Sequence, residues 1–309
     1  MELLRLLLKK ILFLITSLLM LATFSFLLLR LLPGGPFDEE TSLNPLVRQS
    51  LLERWGLNQP LHFQLAQYLK NLLQGDLGLS MVHADQSVAQ IIGQSLGHTF
   101  SLGVVTFVFS ILCAVTITLL SVRFRDRKMD QLIQQSMVAM LALPSLFWGP
   151  LLIYAFGFYF NILPVAFLQG PLSYILPVLT LSLRPIAILV RLLTVAVNKN
   201  IHEDYVRTAY AKGLGQWHVL LRHVLRNSLV PFLSYLGPLL ATLISGSFLV
   251  EVLFAIPGLG SQFVASLSDR DYTVMVGLTL FYGSLLIVIN SGLDFIIKYV
   301  DPRLREVSR

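Results

Sequence analysis

The chain has 309 residues, of which 55% are apolar and only 13% charged; its net charge is +6 and it has a single cysteine, Cys113. A soluble domain carries about 25% charged residues, so with a mean hydropathy of +0.73 the composition excludes an ordinary soluble enzyme, a disordered chain and a disulfide scaffold. The basic residues are spread along the chain rather than clustered, which argues against a nucleic-acid surface.

A bilayer core takes roughly 20 apolar residues of helix to cross. Residues 1–10 form a short leading stretch with Arg5, Lys9 and Lys10, and residues 11–32 hold the first span. Its charge-free run, 11–29, exceeds the roughly 7–15 residues of a signal-peptide core, and no small-residue cleavage site follows, so it reads as an uncleaved anchor.

Residues 33–96 read as an extracytoplasmic segment with amphipathic helices. Asn44 followed by Pro45 suits a helix start, and Val47, Leu51 and Trp55 follow at helical spacing before Gly56. A second helix begins near Pro60; Leu61, Leu65, Leu69, Leu72 and Leu73 make its apolar stripe, and Gly75 ends it. Such a pair either caps the bundle at the membrane surface or offers a docking surface to an extracytoplasmic partner.

Residues 97–298 supply five more spans. The run 97–122 is one, and 131–183 carries no charge over a length sufficient for two, with breaks near Asn161–Pro164 and Gly170-Pro171. The runs 227–250 and 272–293 complete an all-α integral membrane protein of six transmembrane helices, with a tail at 299–309. With both ends in the cytoplasm, 16 basic residues fall inside and four (Arg48, Arg54, Lys70, Arg270) outside, as the positive-inside rule requires.

The inside segment 198–228 contains a short helix over 203–212, a break at Gly213 and Gly215, and a second helix. It is too short to fold alone, so the bundle or a partner must cover its apolar side. Within the next-to-last inward crossing, Arg184 and Arg191 lie seven residues apart on one helix face. A charge in a span normally faces the interior. Arg191 sits near the inner end and snorkels. Arg184 either pairs structurally, with Asp294 as a candidate partner, or lines a translocation path.

Other chemistry is weak. Gly93-Gln94-Ser95-Leu96-Gly97 matches a nucleophile elbow, but no strand precedes it; it also reads as a close-packing Gly-x-x-x-Gly. The six histidines show no metal spacing. No lysine is followed by Ser or Thr, so no Walker A loop exists to cradle nucleotide phosphates.

The loop is where a family resemblance enters. Tyr205, Val206, Arg207, Thr208 and Ala209, then Ala211, Lys212, Gly213 and Leu214, resemble the membrane subunit of ATP-binding-cassette importers, in the dipeptide/oligopeptide/nickel permease family. The general pattern of such permeases is Glu-Ala-Ala, three residues, then Gly; here Arg207 and Thr208 replace its first two members, as the peptide branch commonly does. His223, Arg226, Asn227 and Pro231 continue the similarity, as do Pro33-Gly34-Gly35-Pro36, the 56–61 and 74–78 stretches, the 250–260 stretch, Arg270-Asp271-Tyr272 and Asp301-Pro302-Arg303.

The resemblance implies a type I importer permease fold with a coupling-helix loop that seats in a cleft of an ATPase subunit through Glu203, Asp204, Tyr205, Arg207, Thr208, Ala209, Lys212 and Gly213. It implies a non-catalytic subunit with no metal of its own, ATP and magnesium being held by the partner. The implied assembly adds a second homologous permease, two ATP-binding subunits and an extracytoplasmic solute-binding protein, in a bacterial inner membrane. Di- or oligopeptides are the favoured cargo; nickel complexes, sugars or antimicrobial peptides are alternatives within the family. A stand-alone secondary transporter is the competing class. It predicts mid-membrane carboxylates and gives the glycine-broken loop no role. Gly213→Asp is expected to leave the subunit in the membrane but uncouple it.

Overall fold

The computed structural model describes residues 2–31, 49–50, 52–53, 55–83, 85–125, 127–167, 170–246 and 248–300, with side chains for all of these except 2–11, 145 and 293–300. Among the described residues the chain is helical, with one isolated bridge between Leu79 and Ser87 and no strand. The helices, in order, are α1 (Glu2–Leu31), α2 (Leu61–Leu73), α3 (Val88–Arg123), α4 (Lys128–Ala142), α5 (Ser145–Leu152), α6 (Ile175–Asn200), α7 (Asp204–Ala211), α8 (Gln216–Ile244), α9 (Phe248–Leu253), α10 (Leu259–Ser268) and α11 (Tyr272–Val300). Five helical stretches are long and apolar enough to cross a membrane, in α1, α3, α6, α8 and α11. The pair α4 and α5, with its π-helical continuation Ile153–Tyr159, passes the same test of length and apolarity only when taken together across a 111° bend, and brings the count to six if the pair is one span. The predicted all-α membrane architecture is thus the observed one, with five unbroken candidate spans and one bent pair against the six spans expected.

The bend falls at Leu143–Pro144, where proline denies an amide to the helix and pushes its predecessor to an extended backbone; Leu143 has φ −99° and ψ 137°. The predicted breaks near 161–164 and 170–171 are also present. Asn161 adopts φ 51°, and Pro171 opens a 3₁₀ turn that feeds α6.

The helix α3 starts at Val88, nine residues before the apolar run that announces it. A reciprocal capping box sets that start: Ser87 N–H donates to Gln90 Oε1 (2.9 Å), and Gln90 N–H donates to Ser87 Oγ (3.2 Å). The amphipathic α2 runs from Pro60 to its C-terminal turn at Gly75, φ +79°, as its pattern predicts. Of the preceding helix expected from Asn44 to Gly56, Gln49, Ser50, Leu52 and Glu53 are described and helical, while Val47 and the motif at 33–36 lie outside the described residues.

The chain divides into two compact units. The first comprises Met1–His98 and Pro257–Ser291. In it Val88, Ile91 and Ile92 pack with Leu259, Val274 and Leu278, and Ala22 of α1 packs with Val276 and Leu280. Asp271 organises its loops. Its buried carboxylate accepts from Ser80 Oγ at 2.5 Å, from Met81 N–H at 3.2 Å and from Val274 N–H at 3.1 Å. It therefore caps α11 and anchors the 79–87 turn together.

The second unit, Thr99–Ile256 with Gly292–Arg309, is built round α6, whose residues from Leu176 to Val197 are mostly buried. Inside a bilayer no water drives helices together, so close van der Waals approach decides. Gly103 of α3 provides it: a Cβ there would stand 2.5 Å from the Leu243 carbonyl oxygen of α8. The Gly93/Gly97 pair does not have this role, since a Cβ at either meets nothing within 4 Å. Glu251, fully buried, accepts from Thr99 Oγ1 at 2.9 Å.

Candidate functional site

The loop between α6 and α8 combines a rigid seat with an exposed outer face. Its base is closed by a hydrogen bond from Asn200 Nδ2 at the end of α6 to Ser228 Oγ on α8, 3.0 Å long. Between these points stands α7, two turns long. Glu203 precedes its first turn with extended backbone, φ −70° and ψ 151°, and Asp204 in that turn complements the positive end of the helix dipole.

Two residues three apart, Val206 and Ala209, form the inner stripe of α7 and are buried in one cluster with Val219, Leu220 and Val224 at the start of α8. A two-turn helix is not stable by itself; this apolar seat holds it. Ala209, one of the expected docking residues, therefore faces its own chain.

Glu203, Asp204, Tyr205, Arg207, Thr208, Lys212 and Gly213 are all exposed, as is Tyr210, which sequence reading did not single out. Arg207 and Asp204 approach to 3.6 Å, but their side chains are 75% and 97% exposed, so the pair adds little to folding. It leaves both charges accessible. Beside the helix, Trp217 is 41% exposed and lies under the Arg123 guanidinium, 5.4 Å from its ring centroid. Tyr, Trp and Arg are the side chains most enriched at interface hot spots. Exposed aromatics in a loop of mixed charge were the available signal for Tyr210 and Trp217.

α7 ends in a Schellman turn. Leu214 N–H donates to Ala209 O (3.3 Å) and Gly213 N–H to Tyr210 O (2.9 Å), with Gly213 at φ +78°. A Cβ at Gly213 would meet nothing within 4 Å. The glycine is thus required by its backbone angle and not by crowding within the chain. Further along, Leu220–Val224 is π-helical, a local widening of α8 that includes two residues of the seat of α7.

A second feature is the exposed edge of α6. Arg184, Arg191 and Val195 lie along it, while the opposite faces are buried. Arg184 lies within electrostatic reach of Tyr235 on α8. Arg191 borders a polar cleft with Asp130, Gln134 and Thr194, whose buried hydroxyl has no hydrogen-bond partner. Arg191 thus finds polar surroundings at the end of α6 near the loop. The side chain of Asp294 lies outside the described residues. Ser95 is buried within α3, with no strand before it, so the nucleophile-elbow reading has no structural support.

Residues 106–306 match the family described as "Binding-protein-dependent transport system inner membrane component". The chain is 34% identical over 299 residues to the oligopeptide transport system permease protein OppB of Haemophilus influenzae, across 96% of this chain and 98% of that protein. It is 33% identical over 289 residues to the dipeptide transport system permease protein DppB of Bacillus subtilis, across 94% of each. A crystal structure described as an amino acid ABC transporter with histidines matches at a TM-score of 0.55 and 15% identity, over 68% of this chain and 94% of that one. At that identity the likeness is one of fold.

Proposed function

This chain belongs to the family of binding-protein-dependent transport-system inner-membrane components, and on that premise we propose that it forms half of the translocation pathway of an ATP-driven importer of di- and oligopeptides. The family makes it a multi-pass inner-membrane permease subunit that works with a solute-binding protein. The observation that carries the peptide reading is the near-full-length identity to permeases named for oligopeptides and dipeptides. Both termini are cytoplasmic in this reading, supported by the 16-to-4 division of basic residues. The full assembly holds a second, homologous permease and two ATP-binding subunits. ATP and magnesium act on those subunits, because this chain has no Walker A lysine.

The coupling step follows from how α7 is mounted. Alternating access needs two states of a helix bundle and an energy source that binds them differently. The outer face of α7, Glu203 to Gly213, docks in the ATPase subunit. Its inner face, Val206 and Ala209, bears on Val219, Leu220 and Val224, so displacement of α7 is carried into α8. The Asn200–Ser228 bond carries it also into α6. The π-helical stretch Leu220–Val224 is the place where α8 can change register with least loss of backbone bonding. A stand-alone carrier would give none of these parts a task.

Arg184, on the exposed edge of α6, lines the path that the two permeases form between them, with Asp294 as its counter-charge. The test is uptake of a labelled peptide by vesicles carrying the complete transporter. Arg184→Ala is expected to lower uptake with normal membrane levels of the subunit. Wild-type uptake would assign Arg184 to structural pairing instead.

A further inference from the structure

The first unit contains a largely apolar pocket with a few polar groups that the transport mechanism does not use. Arg30, in the last turn of α1, is half-buried between two rings: its guanidinium carbon lies 5.4 Å from the Phe26 centroid and 5.9 Å from that of Tyr272. No carboxylate pairs with it among the described residues. Phe26 in turn stacks on Tyr68 of α2, with centroids 5.6 Å apart and planes at 17°. The Tyr68 hydroxyl and Gln64 Oε1 are both buried without a hydrogen-bond partner among the described residues. Burial also raises the Tyr68 pKa, which keeps its hydroxyl protonated and a donor. Buried polar atoms left unpaired cost about 1–3 kcal/mol each, so a pocket holding two of them beside a guanidinium that meets only ring faces among the described residues has room and need for a polar occupant.

The chemistry of that occupant is legible. A guanidinium and a phenol donate, which selects an anion. The pocket has a volume of about 210 Å³, and Leu77 on its wall also borders a second cleft of about 360 Å³ lined by Leu18, Leu19, Leu280 and Phe281. Leu77 thus borders both clefts, one with Arg30 and aromatic rings on its wall and the other lined by aliphatic side chains, beside a helix whose other faces expose Leu12, Phe13, Met20 and Phe24. Aromatic residues and arginine at a helix end are the usual furniture of a membrane interface. We propose that this double chamber is a phospholipid site, in which Arg30 and Tyr68 bind the phosphate, Gln64 accepts from the head group, and an acyl chain enters past Leu77.

The experiment takes the assembled transporter, purified in mild detergent and examined by native mass spectrometry before and after incorporation into nanodiscs of phosphatidylethanolamine and phosphatidylglycerol. The wild type is expected to retain a phospholipid through delipidation. Arg30→Gln should lower its retention about tenfold or more, as expected when a charge-assisted hydrogen bond is lost. Tyr68→Phe removes a single hydroxyl and should give a smaller loss in the same direction. Leu77→Trp, which sets a bulky ring on the wall that the two clefts share, should also release the lipid with the polar groups intact. Equal retention by Arg30→Gln and wild type would overturn the assignment. So would binding of soluble glycerol 3-phosphate as strongly as the lipid, which would make the apolar chamber irrelevant. Loss of solute-binding-protein association in Arg30→Gln with lipid retention unchanged would overturn it too, in favour of a protein contact.

Discussion

Substituting Gly213 with residues of graded tolerance for a left-handed backbone isolates the turn that ends α7. Gly213 sits at φ +78°, and a Cβ there meets no atom within 4 Å. Alanine therefore adds no clash within the chain; it adds the cost of holding an L-residue in that region, about 1–2 kcal/mol. Against a total stability of about 5–15 kcal/mol the subunit still folds. The same 1–2 kcal/mol, however, shifts the population of the docking-competent turn by roughly tenfold. Asparagine, which visits this region more readily, should cost less, and β-branched valine more. Gly215 is the internal control: it has φ −67° and ψ 150°, precedes Gln216 at the start of α8, and a Cβ there also meets nothing. Gly215→Ser should be silent, since serine is a favoured residue at that position. In vesicles bearing the complete transporter, ATP-driven peptide uptake should fall in the order Gly215→Ser, Gly213→Asn, Gly213→Ala, Gly213→Val, with subunit levels unchanged. ATP hydrolysis should fall less than uptake in Gly213→Val and in Gly213→Asp. Wild-type uptake by Gly213→Val, or equal losses in Gly215→Ser and Gly213→Ala, would refute the reasoning.

Three further perturbations probe the parts that hold the loop and the bundle. Gly103→Ala forces a Cβ to within 2.5 Å of the Leu243 carbonyl oxygen and should lower stability by about 1–3 kcal/mol, read as a lower melting temperature in detergent; Gly97→Ala should leave it unchanged. Asp271→Ala strips acceptors from Ser80, Met81 and Val274 and should cost about 2–4 kcal/mol, with faster proteolysis of the 79–87 turn; unaltered proteolysis would contradict the anchoring role. Val206→Asp places a charge at a fully buried position on the inner face of α7 and should release the helix, raising protease cleavage at 203–215 while abolishing uptake.

Most of the span count was legible because a bilayer forces long charge-free runs, and α1, α3, α8 and α11 announce themselves so; α6 continues past the run 131–183 through Arg184 and Arg191. The 111° bend at Leu143–Pro144 was masked by the same property: residues 131–183 carry no charge, so composition marks no boundary, and the proline there was only one of several. The early start of α3 was written in Ser87 and Gln90, but a local capping signal was outweighed by the later onset of apolarity. In the loop, the α7 boundaries and the glycine turn were legible because amphipathic spacing and glycine act locally. The inward orientation of Ala209 was not, since it depends on which turn of α8 the helix meets. The pocket round Arg30 joins α1, α2 and α11, residues more than 200 positions apart, and no local pattern foretells it.

The central claim is that this chain is a gate moved from the cytosolic side by a separate ATPase. Its most direct test is peptide uptake into proteoliposomes that hold this chain and its partner permease, with the solute-binding protein present and the ATPase subunits either included or omitted. Uptake should require both the ATPase subunits and ATP, and should vanish in their absence at any ion gradient. Accumulation of peptide driven by a proton or sodium gradient, with no ATPase present, would contradict the account.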